Sequence, residues 1–169
     1  MENNIKEESR LKFQFAENDT VIKFDDTKFY RDYFNKLPEA KGVDFISVAK
    51  DKIAFIEVKN CTGDEGNNRW RIVPNNRKRN TTHTSVDVEG RDSLDIEMAQ
   101  KTAMTIAALV GAKSFGNTKE CLHELKEYIQ FLSEDSFSGD LKKKYVILFL
   151  EGDFGGRTRT KKMIMKGLQ

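Results

Sequence analysis

The sequence predicts a mixed α/β fold in a single domain, and three observations carry that prediction. Two apolar, β-branched runs, 43–49 and 53–59, flank the short polar break Lys50-Asp51-Lys52, as the arms of a hairpin do. A long helical stretch, 92–110, is apolar over much of its circumference and reads as a central, buried helix. A nearly continuous apolar run, 144–150, reads as a strand buried on both faces. With 169 residues, the chain suits one sheet-and-helix core rather than several domains.

The other elements follow in order. Residues 1–10 read as a flexible polar leader, and 11–169 as the domain. Alternation in 11–15 and the run 21–24, separated by Glu17-Asn18-Asp19, suggest a strand pair with a tight turn. Asp25, Asp26 or Thr27 caps a helix reaching about Leu37, because Phe29, Tyr30, Tyr33, Phe34 and Leu37 recur at helical spacing. Residues 60–91 form a long polar loop with possible short strands at 69–73 and 84–88. Loops of this length in a domain usually serve a function. Asp92 or Ser93 caps the long helix, and Gly111 ends it. A further helix over 118–133 shows a one-sided stripe of Leu122, Leu125, Ile129 and Leu132. Beyond Gly156 the basic tail suits either strand or helix.

Composition excludes several classes. No stretch approaches the ~20 apolar residues of a membrane span. The N-terminal residues lack the apolar run of a signal peptide. Cys61 and Cys121 make no disulfide framework. A cytoplasmic protein, with no membrane partner, is the expectation. The net charge of +2 implies no partner, but its distribution does. Arg69, Trp70, Arg71, Arg77, Lys78 and Arg79 lie in one segment without an acid, and Arg157, Arg159, Lys161, Lys162 and Lys166 form another. Cations mixed with an aromatic suit phosphate contact and base stacking, although such runs also occur as plain solvated surface.

The hairpin carries the chemistry. With Lys50-Asp51 as a two-residue turn, Ala49 faces Lys52, Val48 faces Ile53, Ile46 faces Phe55 and Asp44 faces Glu57. One face is then apolar through Ile46, Val48, Ile53 and Phe55, and ends in Asp44, Glu57 and Lys59. Carboxylates opposite each other repel and destabilise a strand pair. A hard divalent cation, Mg²⁺ or Mn²⁺, offsets this, with the Val58 carbonyl as a further ligand. Lys59 beside it can orient or deprotonate a water. Such parts suffice for phosphodiester hydrolysis. Of five acid-x-Lys triplets in the chain, only Glu57–Lys59 closes an apolar strand whose predecessor opens on an acid. The competing reading is a solvated strand end, where Lys59 merely screens two acids.

Gly42-Val43-Asp44, followed after eleven residues by Ile56-Glu57-Val58-Lys59, resembles the PD-(D/E)xK nuclease superfamily, the restriction-endonuclease-like fold. The resemblance covers about 25–150. It implies a mixed sheet flanked by helices and Mg²⁺-dependent cleavage of nucleic acid, with DNA expected. It makes Asp44 and Glu57 the metal ligands and Lys59 the catalytic lysine. Val43 stands where the name-giving proline would be. Many members carry another acid in the first helix, for which Asp32 or Glu39 is available, and Gln100-Lys101 can reach the site from the long helix. Arg69, Trp70, Arg71, Arg77, Lys78 and Arg79 would clamp the nucleic acid. Cutting both strands of a duplex would call for two sites, hence a homodimer. The alternatives are an inactive nucleic-acid-binding module of the same fold, or a protein-interaction domain with incidental carboxylates.

The remaining candidates read as structural. His83 is a loop surface residue and His123 a helix surface residue, since neither has further metal ligands near it in sequence. Cys61 is a small packing residue. Gly152, Gly155 and Gly156 lack the Gly-Lys-Ser/Thr of a phosphate loop.

Overall fold

The computed structural model describes residues 4–73, 92–133 and 142–168. It is a mixed α/β structure, as expected, with two sheets and flanking helices. The chain divides into two compact units, 1–58 with 101–149, and 59–100 with 150–169. Among the described residues, no helix is long and apolar enough to cross a membrane.

In the first unit, strands β1 (Ile5–Glu8) and β2 (Leu11–Gln14) pair antiparallel as a separate two-stranded sheet. The stretch read as a flexible leader therefore contributes a strand. Its turn residues Ser9 and Arg10 take positive φ, 49° and 65°. The expected pairing of 11–15 with 21–24 is not formed, because each segment finds another partner. Strand β3 (Thr20–Lys23) instead pairs antiparallel with β4 (Phe45–Ala49).

Strands β4 and β5 (Lys52–Asn60) form the expected hairpin in the expected register: Ala49 opposes Lys52, Val48 opposes Ile53 and Ile46 opposes Phe55. Ile46 and Ile53 are 0% exposed, and Phe55 1%, so the apolar face is a true core face. On the opposite face Phe45, Ile56 and Val58 cluster under Leu11, Phe13, Phe15 and Ala54. Both faces of the hairpin's central part are therefore covered. The four-stranded sheet runs in the order β3-β4-β5-β6, with β6 at Lys143–Glu151. The Lys143 N–H donates to Asp51 O at 2.8 Å, and the Cys61 N–H to Glu151 O at 2.9 Å. Bonds at those two ends mean that β5 and β6 run parallel, so the sheet is mixed.

Strand β6 departs from expectation. Its apolar run predicts burial on both faces, yet most of it is exposed. The reason is its place at the sheet's edge, which an apolar run does not encode.

The first helix is shorter than the periodicity suggests. It comprises α1 (Lys28–Asp32) and a 3-10 turn at Phe34–Lys36. Thr27 is the N-cap, accepting from the Tyr30 N–H at 3.0 Å while its own hydroxyl donates to Phe24 O at 2.7 Å. Phe24, Tyr30 and Phe34 pack edge-on and tilted around one another. This aromatic knot presses on Gly42, where a Cβ would stand 2.8 Å from Tyr30 Cε2 and 2.9 Å from Phe24 Cδ1. Gly42→Ala is accordingly expected to cost about 1–3 kcal/mol, the scale of forced overpacking, measured by urea unfolding.

After a four-residue helix α2 (Glu65–Asn68) and a 3-10 turn at Arg69–Ile72, where a strand was expected, comes α3 (Leu94–Lys113). It passes through Gly111, and its buried positions Leu94, Met98, Thr102, Thr105, Leu109 and Ala112 recur every three or four residues. The helix is thus one-sided rather than enclosed. Ala99, Ala103 and Ala107 face solvent, where a methyl group costs little. Thr105 accepts the Val43 N–H at 3.1 Å and so ties α3 to the start of the hairpin. The expected helix over 118–133 is built as 3-10 turns at Gly116–Thr118 and Glu120–Leu125, followed by α4 (Lys126–Ser133). In the second unit the basic tail is a helix, α5 (Arg157–Leu168). The segment 84–88 lies outside the described residues.

Candidate metal centre

Register carries Asp44 and Glu57 one step beyond the last hairpin pair, Phe45 with Ile56. Asp44 is held by its backbone on two sides. Its N–H donates to Ile56 O at 3.1 Å, and its carbonyl accepts the Phe24 N–H at 2.8 Å. The Val58 N–H donates to Asp44 Oδ2 at 2.7 Å. Val58 thus meets the aspartate through its amide.

Glu57 is 1% exposed. A carboxylate so deep is stable only beside a cation, and α3 supplies it: Lys101 Nζ stands 2.5 Å from Glu57 Oε1. Among the described residues, no cation is in bonding contact with Asp44. Burial, reinforced by the negative charge of Glu57, pushes its carboxyl up to about 7. The Lys101 ammonium and the Val58 amide offset part of this rise. Near neutrality the Asp44 carboxyl is therefore divided between its protonated and ionised forms.

Two acids that the sequence did not single out join Asp44. One carboxylate oxygen each from Glu8, Asp25 and Asp44 lie within 4.8 Å of one another. Asp25 opens the turn after Phe24, and burial raises its carboxyl above the ordinary range. Its Oδ1 is buried without a hydrogen-bond partner among the described residues. Glu8 pairs with Lys23 at 3.0 Å. The Tyr30 phenol, raised by burial and by Asp25, Asp44 and Glu57, stays neutral alongside. No spacing rule reaches Glu8 or Asp25, because β1 and the turn are brought to Asp44 only by folding. The first-helix acids considered from the resemblance, Asp32 and Glu39, are exposed.

In the second unit, Lys59 Nζ lies 2.9 Å from Glu97 Oε1. Arg71 binds the other oxygen of Glu97. Trp70 and Arg71 are buried, at 9% and 8% exposure, so they are packing residues of this unit, whereas Arg69 is exposed. Arg77, Lys78, Arg79 and His83 lie outside the described residues. His123 is exposed, and Cys61 is buried with its thiol pushed up by burial, both as read.

The fold and the carboxylate cluster together define a mixed α/β protein with a candidate cation site at one end of a buried hairpin. By sequence the chain belongs to the DUF6661 family, a family of unknown function, whose profile matches residues 27–169. No curated protein and no solved structure matches it.

Proposed function

We propose that the chain is a metal-dependent nuclease of the PD-(D/E)xK type that hydrolyses phosphodiester bonds, with DNA as substrate. The observation that supports this reading is the pairing of Asp44, pushed up to about 7, with the fully buried Glu57 where an apolar hairpin face ends. A buried Glu57 beside a half-buried Asp44 is costly at a strand end, and a bridging cation would offset that cost.

Asp44, Asp25 and Glu8 offer oxygens within 4.8 Å of one another, the donor type a hard divalent cation takes; Glu57 is not one of that group and pairs with Lys101. When bound, Mg²⁺ or Mn²⁺ polarises the phosphoryl oxygen and lowers the pKa of its water. Asp44 releases its proton to become a ligand. The backbone bonds on either side fix its direction, and the Val58 amide holds one oxygen. Lys101 balances Glu57 while no cation is bound. The motif assigns Lys59 to the attacking water, and the acid-free basic segment offers Arg69, Arg77, Lys78 and Arg79 to the backbone of the nucleic acid.

A second reading, an inactive nucleic-acid-binding module, draws on the ion pairs. Glu57 with Lys101, and Lys59 with Glu97, are charge-compensated by protein groups alone.

Nicking of supercoiled DNA by the full chain, with Mn²⁺ and then with EDTA, separates the two. Cleavage in Mn²⁺ that Asp44→Ala, Glu57→Ala or Lys59→Ala each lowers about 10²-fold or more, the scale for removing one group aimed at a reacting centre, supports the nuclease. Salt-dependent binding without cleavage supports the second reading. Neither activity rejects both.

A further inference from the structure

Strand β6, Lys143–Glu151, is the outer strand of the four-stranded sheet. Tyr145 is 44% exposed, Val146 50%, Ile147 41% and Phe149 40%. Side chains alternate across a strand, so this exposure places apolar surface on both faces. Among the described residues, no strand pairs with its outer edge. Long apolar edges of this kind are templates for another strand.

Backbone direction is known as well. The Lys143 N–H and the Glu151 C=O point toward the β5 side. Odd-numbered residues therefore bond inward, and Val146 and Leu148 aim both backbone groups outward.

We propose that β6 pairs antiparallel with β6 of a second copy of this chain, about a two-fold axis through Ile147, joining the two sheets into one. A two-fold axis normal to a sheet keeps every side chain on its own face. Opposed residues must share a face, so the axis has to pass through a residue pair. Charge then selects which one. Centred on Ile147, Lys143 of one copy faces Glu151 of the other, Tyr145 faces Phe149, and Val146 faces Leu148. Centred on Val146, Lys143 would face Phe149; centred on Leu148, Tyr145 would face Glu151. Of the three, the Ile147 register alone both pairs Lys143 with an acid and sets every apolar residue from 145 to 149 against another; Lys144 then faces Leu150. The same register makes Val146 and Leu148 the bonded pair, as their outward backbone groups require. The two Ile147 residues form the close, non-bonded pair, with Cα atoms about 4.5 Å apart.

Sedimentation and light scattering of the full chain across a concentration series test this. A dimer is expected, and Ile147→Lys, which sets two ammonium groups on the axis, is expected to give a monomer with an unchanged circular-dichroism spectrum. Lys143→Glu should weaken the dimer about tenfold, and adding Glu151→Lys should restore it. Under mild oxidation Ile147→Cys should cross-link the copies, above the background of the parent chain, and Val146→Cys should not. A dimer indifferent to Ile147→Lys, or cross-linking equal at both positions, overturns the proposal. So does a monomer at every concentration. In that case rapid hydrogen exchange at 146 and 148 would leave the edge to a different protein's strand, and slow exchange would mean that the chain covers it itself.

Discussion

Lys101→Met is expected to destabilise the protein by about 3–5 kcal/mol at pH 8, the usual cost of removing one member of a buried ion pair. Glu57, 1% exposed, then loses the ammonium 2.5 Å from its Oε1. Asp44 loses the same charge, which offsets part of its rise. The buried Glu57 and the half-buried Asp44 would then lack that compensation, and a proton on Asp44 becomes the substitute. The loss should therefore shrink toward pH 5, below the range in which the Asp44 carboxyl gives up its proton. It should also shrink in Lys101→Met/Glu57→Gln, where one of the charges is gone. Urea unfolding of the three proteins at both pH values measures this. A loss independent of pH and equal in the double variant would show that Lys101 acts through packing alone.

The pH profile of the parent protein has a definite sign. An Asp44 carboxyl at about 7 when folded, against 3.8 as its ordinary value, binds more protons in the native state than in the unfolded one. Stability must then fall as pH rises between these values and level off above them. At about 1.4 kcal/mol per unit the ceiling is ~4 kcal/mol, reduced by the coupling to Glu57 and Lys101. Asp44→Asn should flatten the profile and leave the metal-free protein the more stable of the two at pH 8, because asparagine still accepts the Val58 N–H. Mn²⁺ competes with the same proton, so it should raise the thermal midpoint more at pH 8 than at pH 6, and not at all in Asp44→Asn. Scanning calorimetry with and without Mn²⁺ checks this. A midpoint raised equally by Mn²⁺ in Asp44→Asn would place the cation away from Asp44.

The hairpin was legible because its information is local. A two-residue turn and period-two alternation set the register, which runs from Ala49 with Lys52 to Phe45 with Ile56 and leaves Asp44 and Glu57 just beyond it. The cap was legible to within three residues, Asp25, Asp26 or Thr27, because the cap bond is local; the structure picks Thr27. Lys101 was within reach because helical spacing puts it near the centre of a long helix. Glu8 and Asp25 were not, since nothing in their neighbours distinguishes them from other surface acids. Trp70 and Arg71 looked like a nucleic-acid surface because composition reports which residues are present and not which way they face.

By itself the sequence determined the α/β class, the core hairpin, its register and the acids at its end, all of which depend on contacts a few residues apart. Only tertiary structure decided that Asp44 gathers Glu8 and Asp25, that Glu57 is neutralised by Lys101, and that an apolar strand lies at an edge. Those outcomes depend on which distant segments meet, and burial and charge balance at such meetings arise only when the chain closes on itself.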